Sequence, residues 1–422
     1  MTDMATNNYY QATRRVDLAA PVLDQDLNVD VAIIGGGITG VSAALHLAER
    51  GYDVALLEAH DIGWGASGRN GGQVLAGFGA GQVKLKGLLG AEPAQRLWDM
   101  SVEAVNLLHD LIRRFEIQCD PVQGYLHAAL KPRHVRDLEE TQEEYAQLGA
   151  PVGRILRGDE LRMRLASPRY LAAFEDSLGG HIHPLNYTLG LAAAAQRAGA
   201  KLFAHTKVTS VSPARRIKIR AGRHEIRALF MLTAGGAYLG DLMHPLTGYI
   251  MPVSTYIIAT ESRADVRRLI PGNEAVADLN FVLDYFRRSP DDRLLFGGRV
   301  SYSTLPPPAL KSAMLARAVR VFPQLRDARV DYVWGGNVDI TRNRAPHFGR
   351  LTDNILFCHG FSGHGVALTG LAGKLAAEAI AGHAERFDTF ARIPHARFPG
   401  GGAFRVPALL LATSYYRLRD ML

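Results

Sequence analysis

Val31-Ala32-Ile33-Ile34 is a continuous apolar run with no polar residue to mark an outward side, which predicts a strand buried on both faces. Ile38, Val41, Ala44, Leu45 and Ala48 then recur at helical spacing, and Gly51 supplies the stop. A second buried strand, Val54-Ala55-Leu56-Leu57, ends on Glu58. Between the first strand and the helix stands Gly35-Gly36-Gly37-Ile38-Thr39-Gly40, which carries G-x-G-x-x-G at Gly35, Gly37 and Gly40. Residues 29–58 thus read as one nucleotide-binding βαβ unit whose acidic end follows Gly40 by 18 residues (58 − 40). In such a unit Gly35 allows the tight turn, Gly37 lets backbone approach a pyrophosphate, and Gly40 lets helix pack close to strand. The pyrophosphate sits on the helix N-terminus, where unpaired N–H groups and the dipole favour negative charge. Glu58 is placed to accept hydrogen bonds from an adenosine ribose and to repel a 2′-phosphate. The pattern predicts an adenine dinucleotide site.

Further along, Leu97, Ser101, Val105, Leu108, Ile112 and Phe115 share one face of a helix over 94–115, and charge-rich 135–149 reads as an exposed helix. Leu189 to Gly199 is a small-residue helix, followed by a strand at Lys201–Ala204. Leu229-Phe230-Met231-Leu232 is another buried strand, ending in Thr233-Ala234-Gly235-Gly236. After about residue 246 the pattern changes. Ile250–Ile258 and Phe281–Phe286 are aromatic and β-branched, and Ser289-Pro290-Asp291-Asp292 is a turn before a strand over Leu294–Val300. That predicts an antiparallel hairpin. Pro306-Pro307-Pro308 breaks the chain before a helix over 310–321, and Ile355-Leu356-Phe357 leads into Gly360-Phe361-Ser362-Gly363-His364-Gly365 and an Ala/Gly-rich helix.

Composition narrows the class. With 422 residues and 47% hydrophobic content the chain can bury the cores of two domains. Two cysteines, Cys119 and Cys358, cannot build a disulfide framework. The polar N-terminus has no signal-peptide pattern, no run of about 20 apolar residues occurs, and the expectation is a cytoplasmic protein. The formal charge of +7 is spread without a dense basic tract, which argues against a nucleic-acid partner. It suits an anionic cofactor and an anionic substrate, and equally a general gain in solubility.

The second glycine-rich turn turns the dinucleotide into FAD. Gly360, Gly363 and Gly365 let backbone run close under a flat ring, and the helix that follows directs its N-terminus at N1 and C2=O, the ring edge that becomes negative on reduction. Gly35–Gly40, Gly68-Arg69-Asn70-Gly71-Gly72-Gln73, Gly179-Gly180-His181-Ile182-His183-Pro184-Leu185-Asn186 and the Gly360–Gly365 turn together resemble the D-amino-acid-oxidase-type FAD oxidoreductases, over nearly the whole chain. The resemblance implies an α/β fold, with a glutathione-reductase-type, Rossmann-like FAD domain and a second α+β substrate domain whose antiparallel sheet roofs the flavin. The expected division is 28–92, 150–245 and 332–395 for FAD, 93–149 and 246–331 for substrate, and 396–422 as a C-terminal arm. It further implies oxidation of an amine by hydride transfer to flavin N5, with O₂ reduced to H₂O₂.

Departures from the family shape the substrate expectation. The sarcosine oxidases of this family hold flavin through a cysteine ahead of the C-terminal glycine turn, whereas 334–348 contains none, so FAD is expected to be non-covalent. They also hold the substrate carboxylate with a lysine just after Gly-His-Gly, where this chain has Val366-Ala367. A longer amine such as a gamma-glutamylated polyamine is therefore expected, with L-pipecolate or another secondary amino acid as the rival. A quinone-linked, membrane-associated dehydrogenase is a third reading, because Val406–Ala412 with Arg405, Arg417 and Arg419 has the character of an interfacial segment; a buried C-terminal arm explains it more simply, and no membrane partner is expected.

The cofactor candidates are Gly35, Gly37, Ile38, Thr39 and Gly40; Glu58 and Ala59; Ser67, Arg69, Asn70, Gly71, Gly72 and Gln73; Val208, Ala234 and Gly235; and Gly360, Phe361, Ser362, Gly363, His364 and Gly365. His364 either supplies positive charge near the ring or holds the turn by a hydrogen bond. Arg299 either points inward from the roof, favouring the anionic reduced flavin, or faces water. Tyr256, Tyr285 and Trp334 are candidates to line an aliphatic ammonium pocket, or are core. His181 and His183 have metal-pair spacing but no supporting cluster, so no metal is expected. No general base is evident, and an apolar pocket by itself favours the neutral amine that hydride transfer needs.

Overall fold

The structure, a computed structural model, describes residues 8–301 and 309–399, with the side chains of 299–301 left out. Its first sheet is ordered His347–Thr352, Ile355–His359, His224–Thr233, Leu27–Ile34, Val54–Leu57, Lys201–Phe203. The inner pairings are parallel, and His347–Thr352 runs antiparallel at one edge. Val31 pairs with Val54 and Ile33 with Leu56, and all four residues of Val54–Leu57 are buried, as apolar runs without alternation require. On one face lie the helices Ile38–Ala48, Pro184–Arg197 and Gly365–Ile380, the last also packed on Ala91–Arg114. Every residue of Ile38–Ala48 is buried. Small residues permit this packing: a Cβ on Gly373 would collide with the carbonyl oxygen of Thr39. The strands Val208–Ser212 and Ile217–Ala221 extend the His224–Thr233 strand into a meander.

The second sheet is ordered Val330–Thr341, Ile250–Thr260, Leu294–Ser301, Tyr285–Arg288, Ala275–Asp278, Val122–Ala129, Ala172–His181, Gln73–Val74, with Ile155–Arg157 beside Ala172–His181. It is antiparallel except where Ala275–Asp278 meets Val122–Ala129. One face carries Leu126, Val276, Phe286 and Phe296 against Met314 and Val321 of the helix Leu310–Val321. The other face packs Phe174, Ile257, Leu295 and Trp334 into one core with the first sheet and its helices. Register aligns His127, Ala277, Tyr285, Gly297, Ile257 and Trp334 in one row across that inner face.

The expected α/β architecture with a second antiparallel-sheet domain is present, but the segment division needs correction. Residues 155–181 and 330–341 supply strands of the second sheet, although 150–245 and 332–395 were expected in the FAD domain. The strand Ala172–His181 hides behind short side chains, and Val330–Thr341 is half-buried along most of its length, so neither shows a clean alternation. The helix Ala91–Arg114, expected with the substrate domain, packs instead on Gly365–Ile380, and Lys374 Nζ lies 3.0 Å from Glu103. Of the arm 396–422 only 396–399 are described, so the apolar run Val406–Ala412 lies outside the described residues, as does Pro306–Pro308. The N-terminal stretch also departs from expectation: a short helix, Tyr9–Ala12, capped by Asn8, buries Tyr9 and Tyr10 between the two domains.

Candidate active site

Gly40 fixes the first turn. A Cβ at this position would collide with the carbonyl oxygen of Gly35, so only glycine lets this helix start so close to its strand. Ser67 Oγ accepts a hydrogen bond from Ile38 N at 2.9 Å, while the N–H groups of Thr39 and Gly40 make none among the described residues. Those donors suit a pyrophosphate. Glu58 is half-buried at the end of its strand, accepting from Gly36 N at 2.7 Å and His60 N at 2.9 Å. Both bonds orient the carboxylate and leave further lone pairs for ribose hydroxyls.

The loop after Glu58 is pinned to the inner face of the second sheet. Trp334 Nε1 donates to Arg69 O at 3.0 Å, Arg287 Nε donates to Gly71 O at 2.8 Å, and Gln73 Nε2 donates to Val276 O at 3.1 Å. Asn70 braces the loop itself: Nδ2 donates to Ala66 O and Ser67 O, and Oδ1 accepts from Gly72 N. Its amide is spent, so it shapes the loop rather than reaching outward. The Arg69 guanidinium lies 4.1 Å from the centre of the Trp64 ring, which stacks in turn on His60. No carboxylate pairs with Arg69 among the described residues, and its partial burial disfavours the charge. An unpaired, half-buried cation beside the glycine turn fits an anionic cofactor.

The C-terminal turn is built on a buried carboxylate. Gly360 has φ +78°, and a Cβ there would strike the Thr341 methyl. Asp339 Oδ2 accepts from Gly360 N at 2.6 Å and its main-chain oxygen accepts from Ser362 N at 3.0 Å. Burial pushes its carboxyl up to about 6 against the hydrogen bonds from the turn. No sequence feature singled out Asp339, because its partner turn lies 21 residues on.

Several expected site residues take other roles. Tyr256 is buried on the outer face of the sheet, its ring against Gly335, and cannot reach the flavin side. Trp334 is fully buried between the loop and Tyr10, an anchor between domains. Tyr285 lies on the inner face against Gly71 and Gly297. Phe361 packs into the core against Phe348. Val208 is buried in the meander core, while Ala234 and Gly235 lie against Gly35. His364 is pushed down to about 4 by burial, with His127 and Arg344 adding to it, which opposes the charge that was one of its two expected roles. Arg299 falls in a bulge of the roof strand, between Gly298 opposite Tyr256 and Val300 opposite Thr255. His183 caps the helix Pro184–Arg197, and His181 Nε2 meets Asn273 O. Among the described residues no three metal-binding side chains come together, and no helix is long and apolar enough to cross a membrane.

A glycine turn, an acidic strand end and a second buried turn over an antiparallel roof define an FAD-dependent oxidoreductase. Residues 30–379 match the FAD dependent oxidoreductase family (DAO), and the chain belongs to it. It is 40% identical, over 99% of both chains, to gamma-glutamylputrescine oxidoreductase of Escherichia coli K12. It is 38% identical to the probable oxidoreductase OrdL of Haemophilus influenzae, over 98% of this chain and 97% of that one. Glycine oxidase from Geobacillus kaustophilus shares the fold, with a TM-score of 0.72 and 22% identity, covering 84% of this chain and 95% of that one. L-proline dehydrogenase from P. horikoshii does so as well, with a TM-score of 0.70 and 22% identity over 85% and 94%. The cofactor is FAD and the reaction class is oxidation at a C–N bond.

Proposed function

We propose that the chain oxidises a gamma-glutamylated polyamine, gamma-glutamylputrescine first among them, in the cytoplasm. The observation that carries this reading is the near-full-length similarity to the Escherichia coli enzyme of that name. Ala367, buried in the first turn of its helix, supports it: no cation stands there to hold a carboxylate next to the reacting nitrogen. Bound FAD would supply the acceptor for hydride from the amine carbon and the source of electrons for O₂. The protein's own part is to hold ribose at Glu58 and pyrophosphate at Thr39 and Gly40 N–H, and to close the site with the roof. Two unpaired, buried cysteines suit a reducing compartment.

Anaerobic bleaching of the flavin tests the substrate. Gamma-glutamylputrescine should bleach it rapidly, free putrescine weakly and sarcosine hardly at all. Faster bleaching by L-pipecolate or L-proline would overturn the assignment. The flavin is proposed to be non-covalent, because burial pushes the Cys358 thiol well up and Cys119 up to about 12, leaving neither as a thiolate. Acid precipitation should leave the yellow colour in the supernatant; colour in the pellet would refute this.

A further inference from the structure

His127 lies on the inner row of the sheet, separated from Tyr285 by the methyl group of Ala277. An irregularity between Gln123 and Tyr125 leaves Tyr125 opposite Asp176 and His127 opposite Phe174, so His127 and Asp176 are diagonal neighbours on one face. Asp176 is 2% exposed. Its Oδ2 accepts from Tyr145 Oη at 3.0 Å and His127 Nε2 at 3.4 Å, and Oδ1 accepts from Leu178 N at 2.9 Å. Burial opposes the charge on Asp176, but the hydrogen bond and the charge attraction from His127, with the hydrogen bonds from Tyr145 and Leu178, outweigh it and hold the carboxyl below its ordinary range. With a carboxylate at Nε2 that nitrogen carries the proton, which leaves the Nδ1 lone pair open. Nδ1 makes no hydrogen bond among the described residues, and the side chain keeps 23% of its exposure. A base oriented by a buried carboxylate, with its second nitrogen open beside a cofactor turn, is the arrangement of a proton acceptor.

We infer that His127, oriented by Asp176, takes the proton from the substrate ammonium. This rests on the amine-oxidase reading. The N–H bond breaks, its electron pair stays on nitrogen, and the proton passes to Nδ1. Bound FAD would supply the acceptor for hydride from the neutral amine's carbon, and the proton held on His127 would complete H₂O₂ once O₂ had taken the electrons. The groups near His127 are Asp176 and, through it, Tyr145; Tyr125 at 4.7 Å between ring centres, itself in the field of Asp278; and, within electrostatic reach, His364, itself in the field of Arg344.

Holoenzyme of His127→Gln should retain its flavin but be bleached by gamma-glutamylputrescine about 100-fold more slowly at pH 7. The loss should shrink tenfold per pH unit as the pH rises, since free amine then needs no acceptor, and imidazole should restore part of the rate. Asp176→Asn should show a smaller loss with the same pH trend. A second measurement uses wild-type holoenzyme: on binding tert-butylamine, which has no α-hydrogen, the His127 imidazole should become imidazolium by NMR at pH 7. Retention of rate and pH profile by His127→Gln overturns the inference, and so does an imidazole that stays neutral with amine bound. If the variant loses its flavin, the NMR result decides alone. Failure of every amine to bleach the wild type would sink the functional reading instead.

Discussion

Acidification from pH 7 to pH 5 should destabilise the protein by on the order of 5 kcal/mol, enough to unfold it. Burial is the leading cause of depressed basicity at eight histidines: His347 at about 2, His181, His183 and His359 at about 3, His364 and His395 at about 4, and His46 and His109, which are lowered as well. In the unfolded chain each takes a proton near 6.5. Their stabilising contribution is therefore complete above that pH and lost as the pH falls below it. Burial also raises four carboxyls, which work the other way: Asp284 and Glu144 are raised, and Asp278, raised to about 7, and Asp339, raised to about 6, already hold protons in the folded state near pH 5. Set against Asp278 and Asp339, the six histidines at about 4 or below leave a net uptake of about four protons on unfolding (6 − 2), at about 1.4 kcal/mol per proton per pH unit. His347, His359 and His395 concentrate the effect, with two rings stacked at 4.1 Å and a 2.9 Å contact between Nδ1 and Nε2. Thermal midpoints at fixed ionic strength should fall steeply between pH 6.5 and 5. A level midpoint across that range would show that these histidines take protons without leaving the fold.

How far the sequence revealed this molecule depends on whether a residue's constraint is local. Gly40 was legible because a single steric fact, the approach of the Gly35 carbonyl, leaves no other residue possible there. Glu58 was legible from its place at the end of an all-buried strand. Sidedness in the second sheet was not. Ile257 and Tyr256 are neighbours, yet the first faces the FAD domain and the second the helix Leu310–Val321, and a one-residue shift in register exchanges them. His127 and Asp176 are separated by 49 residues and meet only through the pairing of the strand Val122–Ala129 with Ala172–His181. Asp339 likewise acts on a turn well beyond it.

Removing residues 1–12 should give a protein that folds poorly and does not retain FAD, although none of those residues belongs to a nucleotide-binding motif. Asn8 Nδ2 donates to Gly68 O at 3.2 Å, and Tyr9 Oη donates to Asp291 Oδ1 at 2.6 Å. Tyr10 Oη accepts from Arg287 Nη2 at 3.1 Å, while its ring meets the edge of Trp334 at 5.3 Å. Arg287 also donates to Gly71 O and Ile182 O, so one guanidinium joins the N-terminal helix, the flavin loop and the segment entering the helix Pro184–Arg197. Loss of Tyr10 leaves a cavity against Trp334 and strips Arg287 of one acceptor. Tyr10→Ala alone should cost about 3–5 kcal/mol, whereas Tyr10→Phe, which removes only the hydrogen bond, should cost about 1–3 kcal/mol. The two variants separate packing from the hydrogen bond. If the segment acts through the flavin loop, FAD affinity should fall along the series Tyr10→Phe, Tyr10→Ala, truncation, measured by fluorescence of released flavin under conditions where each variant is still folded by circular dichroism. Unchanged affinity in a folded Tyr10→Ala protein would make the segment a brace for overall stability alone, with no hold on the loop that carries Arg69.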